Sequence, residues 1–213
     1  LVLVPALLLV ERGLPRLSRR DLAVLALQAF TGIFVFTALL LYGLTLTGAA
    51  AAGIVTSTTP AMAGALSVLL LGERLTQARA GGIALAVLGI LAINLGAPGA
   101  AEAEGSNPVL GNLLVFGAVV GEALFIVCGK VAAARVAPLT AATPIGVLGL
   151  LMFLPFAAWE AARFDFARVT LADWAALAYY GLVVTVLAFV LWARGLAVVP
   201  ASTAAAFTAV LPV

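Results

Sequence analysis

The 213-residue chain has no histidine and one cysteine, Cys128. A single thiol cannot close an internal disulfide, and without imidazole the usual zinc and haem ligand sets cannot be assembled. Charged residues make up only 9% of the chain, against about 25% in ordinary soluble domains. No lysine run is interleaved with aromatics, which removes nucleic acid from the expected partners. No G-x-x-x-x-G-K-[ST] loop is present, so this chain has no means of direct ATP drive. An intramembrane hydrolase needs a nucleophile–base pair or metal ligands. The sequence offers neither, so no enzyme activity and no cofactor are expected.

The polar deficit is matched by an apolar excess. Hydrophobic residues form 65% of the chain and the mean hydropathy is +1.25. A soluble domain of this size could not hide so much apolar surface. Apolar runs of 18 or more residues recur, each long enough to cross about 30 Å of hydrocarbon. The expected solvent is therefore the lipid bilayer, and the expected fold is an all-α, polytopic helical bundle.

Eight segments can be drawn: 1–10, 22–44, 49–71, 80–95, 109–130, 139–159, 174–193, and one from 201 still apolar at Val213. The first, LVLVPALLLV, reads as the tail of a cut helix. With the loop at 11–21 placed in the cytoplasm, that side collects Arg12, Arg16, Arg19, Arg20, Arg74, Arg79, Lys130, Arg135 and Arg194, nine of the 11 basic residues. Arg163 and Arg168 fall opposite. Such a bias sets orientation in membranes, and a span missed or added would scramble it. Pro60, Pro144 and Pro155 lie within spans, where each removes a backbone donor; they serve either packing or a hinge and cavity wall. Trp159, Trp174 and Trp192 lie near span ends, as interfacial anchors do.

The chain repeats itself. YGLTLTGAAAAGIVTSTTPA from Tyr42 and RGLAVVPASTAAAFTAVLPV from Arg194 align at an offset of 152. Gly43 then matches Gly195, Leu44 matches Leu196, Ala49 matches Ala201, Thr56 matches Thr208, and Pro60 matches Pro212. The unit is five helices long, and an odd number of spans inverts the second copy in the membrane. Inverted repeats of this kind place a substrate site near the midplane between the halves.

The stretch GIVTSTTPAMAGALSVLLLGERLTQARAGGIALAVLGILAI resembles the first-repeat signature of EamA-type transporters of the drug/metabolite transporter superfamily. The elements that carry the resemblance are Pro60, then LLLGERL at Leu69–Leu75 with Gly72 and Glu73, then a glycine-bearing apolar helix. The second half resembles the same family as far as LPV at Leu211–Val213. The resemblance implies two inverted five-helix repeats with the first and last helices missing. Residues 1–95 would form the first repeat, 96–108 a polar linker, and 109–213 the second. The implied function is secondary transport of a small organic metabolite or drug by alternating access. A non-transporting scaffold or an inactive transporter fragment is the alternative. A bacterial-type plasma membrane is the implied location, protons are a candidate coupling ion, and a homodimer is a candidate assembly.

Where family members often carry Trp in an LWA pattern in helix six, this chain reads VVGEALFIVCGK, with Glu122. That carboxyl lies about 5 Å from the midplane of its span, at about 1.5 Å per residue. An ionised group there costs about 2.5–3.5 kcal/mol on insertion scales. It is expected to face the bundle interior, as a proton carrier or counter-ion, or else as a structural hydrogen-bond acceptor. Thr56, Ser57, Thr58 and Thr59 before Pro60 form the most polar intramembrane run. They line a substrate path together with Thr208 and Pro212, or they bond back within their own helix. Glu73 and Arg74 at a cytoplasmic helix end are candidates for a gate, with loop ion-pairing as the alternative. Lys130, about 12 Å beyond Glu122 along the helix, is expected to extend to the interface. Gln28, Thr31, Asn94 and Asn112 are polar groups that could bridge helices.

Overall fold

The structure is a computed structural model and describes residues 17–96 and 106–207. The segment at 1–10 and the residues Arg12, Arg16, Thr208 and Pro212 lie outside the described residues. Eight helical elements are described: α1 Arg19–Leu46, α2 Ala49–Thr56, α3 Thr59–Leu71, α4 Gln77–Gly96, α5 Pro108–Ala133, α6 Pro138–Ala161, α7 Leu171–Val198 and α8 Ala201–Phe207. A short 3-10 turn, Phe166–Arg168, joins α6 to α7. Among the described residues, five stretches are long and apolar enough to cross a membrane: α1, α2 with α3, α5, α6 and α7. No strand is present among the described residues, and the fold is the helical membrane bundle that composition demands.

The repeat survives as geometry. α1 runs from Arg19 to Leu46 and α7 from Leu171 to Val198, so both ends are displaced by the same 152 residues as the sequence match. Ser18 and Asp21 form a capping box before α1, and Thr170 and Asp173 form one before α7. In each box the hydroxyl accepts the third amide and the carboxylate accepts the cap's own amide, which satisfies two orphan donors. A π-helical segment interrupts α1 at Phe30–Val35 and α7 at Tyr180–Leu187. Each rod ends on an extended residue, Thr47 or Val199, before the next helix starts at Ala49 or Ala201.

The two copies point in opposite directions. The C-terminal end of α1 meets the start of α5, where the Asn107 amide donates to Leu46 O at 3.2 Å. The C-terminal end of α7 meets the other end of α5, where Lys130 Nζ reaches Leu196 O and Val199 O. The end of α5 that holds Lys130 also gathers Arg19, Arg20, Arg74, Arg79, Arg135 and Arg194, the end that the charge rule expects to face the cytoplasm.

α5 is the axis of the bundle. It packs against α1, α2, α3, α6, α7 and α8. Small residues make this possible, because lipid gives helices no hydrophobic reason to associate and close packing must supply it. A Cβ on Gly121 of α5 would stand 2.7 Å from the carbonyl oxygen of Thr31 in α1. A Cβ on Gly32 of α1 would run into the Phe125 side chain of α5. One apolar cluster joins Ala63, Ala123, Ile126, Leu196 and Ala204. The other joins Leu25, Ala29, Ala132, Val136 and Ile145. α7 is largely exposed along Leu177, Tyr180, Leu182, Val184 and Leu187, an apolar face suited to hydrocarbon.

Three sequence expectations change here. Pro60 does not kink a continuous span: the helix breaks at Ser57–Thr58 and Pro60 lies in the first turn of α3, where a missing N–H costs nothing. Trp192 is not an interfacial anchor. It packs partly buried against the first cluster, because α7 turns that face inward, whereas Trp159 and Trp174 stay exposed. The guanidinium of Arg163 lies over the Trp159 ring at 4.1 Å. Lys130 does not extend to the interface but turns inward to backbone carbonyls.

Gly121→Ala should destabilise the protein by about 1–3 kcal/mol, because the obstructing atom is backbone and cannot yield. Gly117→Ala, whose Cβ would meet only the tip of Leu39 at 2.9 Å, should cost clearly less. Thermal unfolding of both variants in detergent tests this, and equal losses would contradict it.

Candidate functional site

Glu122 lies in α5, flanked by the buried residues Gly121 and Ala123, and is itself half-buried. Its Oε2 accepts a hydrogen bond from Thr59 Oγ1 at 3.2 Å. The contact spans two helices that are 63 residues apart in the chain. Thr59 can make it because the break at Ser57–Thr58 places it at the start of α3. Its neighbours do not share the task. Thr56 Oγ1 donates to Gly53 O, Ser57 Oγ to Ile54 O and Thr58 Oγ1 to Val55 O. These bonds stabilise the broken end of α2 by giving its last carbonyls donors. Thus the structure brings Glu122, Thr59 and the adjacent Pro60 together, and leaves Thr56 with its hydroxyl spent within its own helix.

The pair has a definite chemical capacity. A carboxylate in a span can hold a proton or balance a cation, and a hydroxyl that donates to it favours the ionised form. No cluster of metal-ligating side chains is present among the described residues.

The second site is the corner between α7 and α8. Pro200, ahead of α8, has no side-chain acceptor to cap that helix. Glu73 supplies it from the first repeat. Its Oε1 accepts from the Ala201 amide at 2.8 Å, and its Oε2 accepts from the Ser202 amide at 3.3 Å and from Ser202 Oγ at 2.7 Å. Gly72 makes this reach possible. It ends α3 with φ 66°, a left-handed conformation that costs glycine nothing, and turns the chain toward α8. Burial pushes the pKa of Glu73 up, but the bonds from Ser202 and Ala201 and the charge of Arg79 outweigh it, and the carboxyl ends below its ordinary value.

Lys130 holds the same corner from the other side. Its Nζ donates to Leu196 O at 2.9 Å and Val199 O at 2.6 Å, carbonyls at the end of α7 that have no helical donor. One carboxylate thus caps the start of α8 and one ammonium caps the end of α7. Arg74 takes no part: it is exposed, and its carbonyl accepts from Arg79 Nη1 at 3.1 Å. For Glu73, helix capping takes the place of the loop ion-pairing weighed as the alternative.

At the opposite face, Thr47 Oγ1 donates to Asn112 Oδ1 at 2.9 Å, so Asn112 does bridge helices. Thr31 bonds back to Leu27 O at 2.8 Å. Gln28 is buried, with no partner for its Oε1. The Asn94 side chain lies outside what is described. Sequence reasoning missed the roles of Lys130 and Ser202; a proline at the cap position of α8 was the available signal.

The comparisons with known proteins agree with this architecture. A model of the EamA-like transporter family matches residues 1–95 and 109–213. "Uncharacterized transporter YetK" of Bacillus subtilis (strain 168) is 45% identical over 213 residues, which is 100% of this chain and 64% of that protein. "Uncharacterized transporter YyaM" of the same organism is 25% identical over 183 residues, 85% of this chain and 59% of that protein. The chain therefore spans less than two thirds of these curated relatives. A crystal structure at 22% identity superposes with a TM-score of 0.76, covering 99% of this chain and 71% of the other, and so shares the fold. On the family match across both repeats, this multi-pass helical chain belongs to the EamA-like transporter family.

Proposed function

We propose that the complete protein is a secondary transporter that moves a small organic metabolite or drug by alternating access, with Glu122 as its coupling group. The observation that carries this reading is a carboxylate deep in the central helix, bonded by Thr59 across the contact with α3. An ion there is costly unless it is paired or transiently neutralised, and a proton or a cationic substrate does either. Residues 1–95 and 109–213 act as the two inverted units and 96–108 as their linker. Thr59 and Pro60 shape the pathway on one side. Thr208 and Pro212 are their counterparts by the repeat. The bacterial relatives favour a plasma membrane location.

The corner at Val199–Ser202 is the cytoplasmic gate in this reading. Glu73 reaches it from the first unit and so fastens the two units by charge-assisted bonds, while Lys130 braces the same corner from within the second unit. Arg74 adds to the positive charge of that face. Rocking of one unit against the other would have to release these bonds.

Two outcomes test the proposal in the full-length protein. In proteoliposomes, Glu122→Gln should abolish substrate uptake or remove its pH dependence; uptake with an unchanged pH profile would refute the coupling role. Glu73→Gln should speed amide exchange at Ala201 and Ser202 by about tenfold or more, a loss of about 1.4 kcal/mol or greater. Because the folded carboxyl lies below its ordinary value, its stabilisation is present above the ordinary carboxylate range and fades as pH falls through the lowered value. Exchange corrected for intrinsic rate should therefore accelerate in acid for the native protein and change less for Glu73→Gln. Equal exchange in both proteins at neutral pH would refute the gate.

A further inference from the structure

Two buried polar atoms in the described bundle have no hydrogen-bond partner: Gln28 Oε1 and Trp192 Nε1. They are complementary, since one accepts and the other donates. Both residues line the same small cavity, together with Gly129, Ile145 and Leu196. Its volume is about 10 Å³, which is room for one water molecule. Gln28 is only 3% exposed, so bulk solvent cannot satisfy it. An unpaired amide or indole in a membrane interior costs about 1–3 kcal/mol, and two facing one cavity would compound that cost. Gly129 keeps the space open: a Cβ there would stand 2.7 Å from Gln28 Nε2 and 2.8 Å from Leu196 Cδ1.

The cavity is placed with respect to Glu122. Gly129 is seven residues beyond Glu122 on α5, so the two share a helix face about 10 Å apart along the axis, on the cytoplasmic side. α1 runs beside this face. Gln28 lies against Gly129, and one turn on, the Thr31 carbonyl lies against Gly121. Gln28 Nε2 and the Thr31 carbonyl are thus two polar groups of α1 that meet α5, one at the level of the cavity and one beside the carboxylate.

We propose that this cavity is a binding site for one water molecule, which accepts from Trp192 Nε1 and donates to Gln28 Oε1. It is the cytoplasmic stepping stone for the proton exchanged by Glu122. The first statement stands on the cavity alone; the second rests on the coupling role given to Glu122. The other titratable groups nearby are otherwise engaged or turned away. Lys130 is bonded to the α7 carbonyls, Cys128 is buried in α5, and Arg135 and Arg194 are exposed.

The test uses the full-length protein in nanodiscs and proteoliposomes. Water-to-indole magnetisation transfer should give a cross-peak for Trp192, assigned by its loss in Trp192→Phe, and Gln28→Leu should lose it too. A native protein without the Trp192 cross-peak has a dry cavity, which overturns the site. With the water established, Gln28→Leu and Trp192→Phe should slow pH-dependent uptake several-fold, while Glu122→Gln should leave the cross-peak in place. A cross-peak with native uptake rates in both variants would overturn the relay. PH-dependent uptake that persists in Glu122→Gln would overturn the coupling role and the relay with it, while the cross-peak still decides the water site.

Discussion

A helix in hydrocarbon has no water to complete its backbone hydrogen bonds, so each interruption must be answered from within the protein. That constraint organises this bundle. Where the chain breaks at Ser57–Thr58, three hydroxyls turn back to carbonyls of α2. Where α7 ends, Lys130 supplies donors to two carbonyls, and where α8 begins, Glu73 supplies acceptors to two amides. At the opposite face the Asn107 amide meets Leu46 O. The polar residues of this chain are few, and several of those described lie at such breaks.

The same constraint links architecture to action. A transporter must change shape, and a continuous apolar rod offers nothing to release. The corner at Val199–Ser202 does, because its partners come from different parts of the molecule and are charged. Glu122 and Thr59 form another junction of that type, between the central helix and the restart of α3. Sites of structural weakness and sites of proposed function coincide because both need polar groups inside the membrane. The capacity of the EamA-like fold to move solutes would then depend on a few bonds made at helix ends rather than on the apolar contacts that hold the bundle together.

Much of the fold was legible in advance. The spans at 22–44 and 109–130 fall within α1 and α5 with margins of a few residues, because length and hydropathy suffice to mark a membrane crossing. The offset of 152 residues was visible from small residues around Gly43 and Gly195. The capping boxes at Ser18–Asp21 and Thr170–Asp173 state the same offset in polar letters and would have strengthened it. Glu122 stood out because a carboxyl in a span is rare. Its partner could not be chosen among four adjacent hydroxyls, since the break that frees Thr59 depends on how α2 ends against α5.

What the sequence by itself determined was the solvent, the rough limits of the described spans, and the family. These follow from the cost of polar groups in lipid, which is paid residue by residue and so can be read along a single chain. What only the tertiary structure decided was the pairing: Glu73 with the start of α8, Lys130 with the end of α7 rather than with the interface, and Trp192 with Gln28 around a cavity rather than with the membrane surface. These pairings join residues 66 to 129 positions apart in the case of the two charged groups. No local pattern encodes such a distance, because it is fixed by the packing of whole helices around α5.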